Sequence, residues 1–167
     1  MPAEAGSSRP SGRSTSSPAD DTTPTVPQPQ PQPDAVVVVL HDHGQVLIIR
    51  RAASVAYPGF WTPPSGRVEP GESQDQTVVR EMREELLLDV VPGQKVWECD
   101  THDGVYRLHW WTATLAAAAT RTPTPDPREV AAARWIDSRE FAGLGDTFAD
   151  DRRFFADVWP TLGGQFS

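Results

Sequence analysis

Residues 66–88 read GRVEPGESQDQTVVREMREELLL, and this stretch decides the fold. Ser73 to Leu87 has the pattern of an amphipathic helix. Ser73 is a capping residue, and Gln76 three positions later completes a capping box. Val79, Met82 and Leu86 share a face suited to a core. Glu81, Glu84 and Glu85 stand at i, i+3 and i+4, so at ~100° per residue they fall within one arc of roughly 100°. Like charges so placed weaken a helix by a few tenths of a kcal/mol per pair. Arg80 only borders that arc and Arg83 lies behind it. A solvated helix face normally mixes signs, and this arc does not. The arrangement makes sense when a divalent cation neutralises it. Carboxylate oxygens suit Mg²⁺ or Mn²⁺, which keep room for water and substrate phosphates.

The residues just upstream sharpen the reading. The stretch resembles the signature of the Nudix hydrolases, Gly-x5-Glu-x7-Arg-Glu-U-x-Glu-Glu-x-Gly-U, where U is bulky and aliphatic. Gly66, Glu72, Arg80, Glu81, Met82, Glu84, Glu85 and Leu88 match it, eight of the nine specified positions, with the spacing kept throughout. The departure is Leu87, where the family has glycine. That position lies just past the helix, where a left-handed backbone is common. Leucine there either accepts strain or lets the helix run on toward Asp89.

The resemblance, which spans about residues 35–160, implies a metal-dependent hydrolase of the MutT type. Such an enzyme cleaves the pyrophosphate of a nucleoside diphosphate linked to another moiety. Its substrate would be a nucleoside triphosphate or a dinucleotide. It also implies that Glu81, Glu84, Glu85 and the backbone carbonyl of Gly66 hold Mg²⁺ or Mn²⁺, and that Glu72 and Arg80 form a structural pair tying the loop to the helix. Glu81 or a later acid would be the general base. Glu129 stands where the family often has that acid, with Asp126 and Asp103 as weaker alternatives. Tyr106 resembles a marker of diadenosine polyphosphate hydrolases, which keeps that substrate as an alternative. The expected partner is a nucleotide-type small molecule, with no duplex nucleic acid and no membrane; a homodimer stays an open expectation. Two rivals stand beside the enzyme reading. One is a catalytically silent domain that binds a nucleotide or regulates a partner. The other is an interaction protein acting through its Pro-Gln tail.

Outward from the box, Ala35–Leu40 (AVVVVL) and Gln45–Arg51 (QVLIIRR) read as strands joined at Asp42–His43–Gly44, a hairpin signal. Residues 52–72 are loop-like, with a short strand near 60–62 or 66–69. Arg50 and Arg51 could clamp a phosphate, one facing the site and the other solvent, because side chains alternate along a strand. Tyr57, Phe60 and Trp61 could stack on a base. Pro92–Gly93 reads as a turn, Lys95–Asp100 and Val105–Leu115 as strands, and residues 120–128 as a loop. Val130–Asp137 is a further strand. Residues 138–144 and 147–159 read as short helices, the second stopped by Pro160. The order predicts a mixed sheet with helices, an α/β (α+β) fold, and the Nudix resemblance implies that the mixed β-sheet is sandwiched between helices.

The 34 residues that precede this are mostly Ser, Thr, Pro and Gln, and are expected to be a disordered tail ahead of a domain at 35–167. Seventeen prolines, eight of them in residues 1–34, help lower the apolar share to 38%, against ~45–50% for an ordinary domain. The net charge is −8, of which −6 falls on residues 35–167. That balance argues against a broad basic surface for nucleic acid. It also means that an anionic pyrophosphate needs a cation to approach. The apolar runs are too short to span a membrane, and no signal peptide is visible. The single cysteine, Cys99, excludes an internal disulfide and fits a reducing, cytoplasmic compartment; it reads as a small buried or half-buried strand residue. His41, His43, His102 and His109 lack metal-ligand spacing. Of Trp110 and Trp111, one is expected in the core and one at the surface.

Overall fold

The alternation in residues 34–42 is hidden because both faces of this strand are covered. The computed structural model describes residues 31–163, so the expected tail lies outside the described residues over positions 1–30. Strand β1, Asp34–Asp42, is the centre of a seven-stranded mixed sheet. Val36, Val38 and Leu40 pack with Val78, Met82 and Leu86 of helix α1, Gln74–Leu86. Val37 and Val39 face the other way, onto Trp110, Phe141, Phe154 and Phe155. A strand buried on both faces reads as a continuous apolar run.

Strand β2 is Gln45–Arg51, β3 is Trp61–Thr62 and β4 is Ser65–Arg67. The hairpin forms only at its tip, where His41 pairs with Val46 and Asp42 with Gln45. His43 and Gly44 both have positive φ there, as a tight two-residue turn demands. Beyond the tip β1 and β2 part. β4 pairs with Ala35–Val37 of β1, and β3 pairs with Ile49 and Arg50 of β2. The Pro63–Pro64 link bridges the gap, its Pro64 carbonyl accepting from Val38 N–H at 2.8 Å. Gly66 is thereby set opposite Val36, just ahead of α1.

β5 (Val90–Asp100) and β6 (Arg107–Leu115) form an antiparallel pair, and β6 runs parallel to β1. β7, Val130–Asp137, pairs with β2. Pro92–Gly93 is not a turn. It lies inside β5 where the register slips between Pro92 and Lys95, and a bulge tolerates the same residues as a turn. The expected C-terminal helix is also broken up. A 3₁₀ turn at Ser138–Gly143 is followed by α2, Ala149–Arg153, a π turn at Phe154–Val158 and a 3₁₀ turn at Trp159–Leu162. Pro160 sits inside that last turn rather than stopping a helix, at an early position where its missing N–H removes no helical bond. No helix among the described residues is long and apolar enough to cross a membrane.

Candidate active site

The capping box predicted for α1 is present: the Ser73 amide donates to Gln76 Oε1 at 3.0 Å. At the other end Leu87 adopts a left-handed conformation, φ 51 and ψ 36, with 62% of its surface exposed. Leu87 N–H donates to the Arg83 carbonyl and Leu88 N–H to the Met82 carbonyl, both at 3.1 Å. Of the two outcomes open to Leu87, the strained one is realised, and the helix ends at Leu86.

The three glutamates do not share one environment. Glu81 and Glu85 turn inward and are buried, while Glu84 stays exposed. Arg80 does more than border their arc. Its guanidinium folds across it, donating Nη1 to Glu81 at 2.7 Å and to Glu84 at 3.2 Å. Its remaining donors hold both oxygens of Glu72, at 2.9 Å each, and the Arg67 carbonyl. The expectation of a single-sign face fails because a long side chain at a flanking position reaches its i+1 and i+4 neighbours. The Glu72–Arg80 pair is bidentate and largely buried, a stronger arrangement than a solvated ion pair. Hydrogen bonds from Arg80, and then from Thr77, hold the Glu72 carboxyl down at about 2.

Burial pushes Glu81 up to about 7 even though Arg80 pulls it down. Glu85 is pushed up to about 8, first by burial and then by the neighbouring charges of Glu81 and Glu129. Its Oε2 is buried without a hydrogen-bond partner. Gly66 closes this pocket: a Cβ there would lie 1.8–2.4 Å from the Glu81 side chain, so only glycine lets the carboxylate pack against β4.

Two loops bring the other expected residues. Arg51 is half-buried and close enough to Glu85 to lower its pKa, while its Nε donates to the Ala56 carbonyl at 2.6 Å. Arg50 is exposed and turned to the Gly59 carbonyl. Glu129, at the foot of β7, couples to both Glu81 and Glu85. Asp126 is clamped by Arg128 instead, and Asp103 is tied into the β5–β6 turn by Thr101 and Val105. Phe60 and Tyr57 meet Phe148, with ring centroids 5.0–5.5 Å apart. Trp61 leaves this group: Arg134 stacks over its ring at 4.4 Å and it packs on the opposite core. Tyr106 flanks the β5–β6 turn with its backbone bonded to Thr101. Trp110 is fully buried on Phe154, whereas Trp111 is half-buried and donates to Gln74. Phe148 and the buried Asp151, whose Oδ2 lacks a partner, escaped the sequence reading. Phe148 precedes, and Asp151 lies in the middle of, a helix of only five residues, too short to show a periodicity.

The family model described as NUDIX domain matches residues 30–158. The chain belongs to the Nudix family. It is 35% identical over 78 residues to the CTP pyrophosphohydrolase of Escherichia coli (strain K12), which covers 46% of this chain and 58% of that protein. It is 35% identical over 104 residues to the NAD-capped RNA hydrolase NudC of Stutzerimonas stutzeri (strain A1501), covering 60% of this chain and 35% of that one. The chain thus spans less than two thirds of either curated relative. The crystal structure of the MutT protein from Methanosarcina mazei Go1 superposes with a TM-score of 0.69 at 21% identity, over 81% of this chain and 99% of the other. The fold is therefore a Nudix fold, and Nudix hydrolases generally use divalent metal ions.

The residues present fit such an ion. Two buried acids, one with an orphaned oxygen, are costly unless a cation or protons neutralise them. Among the described residues no three acidic, His or Cys side chains already converge as a cation site. Arg80 holds Glu81 and Glu84 in their place.

Proposed function

We propose that this Nudix chain is a divalent-metal-dependent pyrophosphohydrolase of a nucleoside diphosphate linked to another moiety, with nucleoside triphosphates as its substrate class. The observation that carries the reading is the buried, mutually destabilised pair Glu81–Glu85 packed against Gly66. Such a pair weakens the fold and is explained by a cationic ligand. Glu81, Glu84, Glu85 and the Gly66 carbonyl would hold Mg²⁺ or Mn²⁺. That ion supplies neutralisation of the pyrophosphate charge and a lowered pKa for water. Glu129 accepts the proton of the attacking water, from a loop that faces both acids. Arg51 meets a phosphate oxygen, with Arg50 at the rim. Phe60, with Tyr57 and Phe148, offers an aromatic face to the base, a role Trp61 cannot share while Arg134 covers its ring. Glu72 and Arg80 fix the loop to the helix. The similarity to the CTP pyrophosphohydrolase of Escherichia coli, 35% identical over 78 residues, supports the nucleoside triphosphate class. A nucleotide-type small-molecule substrate, no duplex nucleic acid and a cytoplasmic setting belong to this proposal; the net charge of −8 and the single cysteine support it. The hydrolase domain is proposed at residues 35–167.

The test is a panel of ribo- and deoxyribonucleoside triphosphates, NADH and diadenosine tetraphosphate, each assayed with Mg²⁺ and with EDTA, products identified. Triphosphates should be hydrolysed to monophosphate and pyrophosphate only with metal. Preference for the diadenosine compound would move the reading toward the Tyr106 marker. One observation favours a silent nucleotide-binding domain: Arg80 already occupies Glu81 and Glu84. Binding of a nucleotide without turnover at any metal concentration would establish it.

A further inference from the structure

Residues 122–128 read TPTPDPR, with proline at every second position. Each proline lacks an N–H and fixes its φ, and each residue before a proline is driven to an extended backbone. The segment is therefore a stiff strap with amide donors only at alternate positions. All four are used. Thr122 donates to Thr120 Oγ1 and Arg128 to Asp126 Oδ1, at 3.1 and 3.0 Å. The two central donors reach out of the loop: Thr124 N–H to the Leu86 carbonyl and Asp126 N–H to the Glu85 carbonyl, both at 2.8 Å. Those carbonyls are open because Leu87 turns the chain away there, its own cap bonds going to Arg83 and Met82. Immediately after the strap, Glu129 is tethered on its other side. Ala52 N–H donates to the Glu129 carbonyl at 2.9 Å, and Ser54 Oγ donates to the Arg128 carbonyl. Val130 then enters the sheet opposite Arg51.

We infer that the proline strap is a positioning element: by docking on the last carbonyls of the carboxylate helix it fixes Glu129 relative to Glu81 and Glu85. This rests on the role proposed above for Glu129. Thr124→Pro removes one docking donor while matching the local backbone preference, and Thr124→Ala returns the N–H. The readouts are kcat, KM and melting temperature, alone and in a Glu129→Gln background, with the fastest substrate of the panel. Thr124→Pro should melt within a few degrees of the parent and lose kcat roughly tenfold at little cost in KM, since misplacement of about 1 Å can cost up to 10²-fold. Thr124→Ala should recover the loss, and Thr124→Pro should add less than twofold once Glu129 is Gln. An equal further loss in the Glu129→Gln background, or an unchanged kcat, overturns the strap inference alone. Should Thr124→Pro fail to fold, an ester in place of the Thr124 amide, installed by protein semisynthesis, removes the same donor to the Leu86 carbonyl and runs the same cycle with the same criteria. Full activity of Glu129→Gln, or no hydrolysis across the panel, overturns the reading of Glu129 and the strap with it.

Discussion

Replacing Glu85 by glutamine should make the metal-free protein more stable, and increasingly so as pH rises. Glu85 is pushed from 4.5 to about 8 in the fold, first by burial. Between those values the folded state holds a proton that the unfolded chain has lost. The contribution of Glu85 to stability therefore declines as pH rises through that window and is gone above about 8. At ~1.4 kcal/mol per pKa unit, the decline from pH 5 to pH 9 amounts to roughly 3–4 kcal/mol. The coupled acid Glu81, pushed up to about 7, contributes in the same direction. Glutamine keeps the shape and has no proton to lose, so its share of the slope vanishes. Urea denaturation of both proteins in EDTA at pH 5, 7 and 9 measures this, with m-values checking that the transitions stay comparable. The two should agree within about 1 kcal/mol at pH 5, with the variant ahead by roughly 3 kcal/mol at pH 9. Millimolar Mg²⁺ should narrow the gap by stabilising the parent, which binds it better. A gap independent of pH, or a parent that gains stability toward pH 9, would refute the claim that buried charge at Glu85 opposes folding.

Glu84→Gln should lower turnover by at least tenfold in a Mg²⁺ assay while changing melting little, because Glu84 is exposed and meets Arg80 only at the surface; equal turnover would remove it from the ligand set. Arg80→Ala should cost about 2–3 kcal/mol in a denaturation experiment, since it strips partners from the half-buried Glu72 and the buried Glu81 carboxylates. Leu87→Gly should stabilise by roughly 0.5–1 kcal/mol, the left-handed strain relieved less the added entropy of the unfolded chain; a destabilised variant would mean that Leu87 makes contacts its exposure does not suggest. Deleting residues 1–30 should leave melting and turnover within error, whereas a cut after residue 34 should lower the melting temperature, because Asp34 bonds the buried His109 at 2.7 Å and the Pro33 carbonyl accepts from Arg107.

What the residues disclose in advance depends on how local the cause is. The helix, its capping box and its ligand candidates were legible because spacing along one helix fixes them. The box also specified Gly66 and Glu72, whose partners lie eight to fifteen residues away. The partial hairpin was not legible: β1 and β2 separate because β3 and β4 claim their edges, a competition that no short window contains. Arg80 was misjudged for a similar reason. A helical wheel places its Cα at the border of the arc, but its guanidinium goes where Glu72, Arg67 and Glu81 together leave acceptors. Pro92–Gly93 carried a true signal, irregular backbone, that a bulge satisfies as well as a turn.

Leu87 joins these levels. Against the family signature it reads as a defect, a leucine where glycine belongs. In the fold its backbone still adopts the conformation that glycine would take freely. A right-handed continuation would cost nothing locally, yet it would direct the next amides of the chain at the Glu85 and Leu86 carbonyls. Those carbonyls instead receive Asp126 and Thr124. Two hydrogen bonds to the strap, each worth ~1 kcal/mol net, are of the size needed to offset a left-handed leucine at ~1–2 kcal/mol. The balance explains why the departure is tolerated. It also explains why the helix end, although outside the carboxylate set, bears on the site: the conformation at Leu87 decides whether the loop that carries Glu129 has anything to dock on.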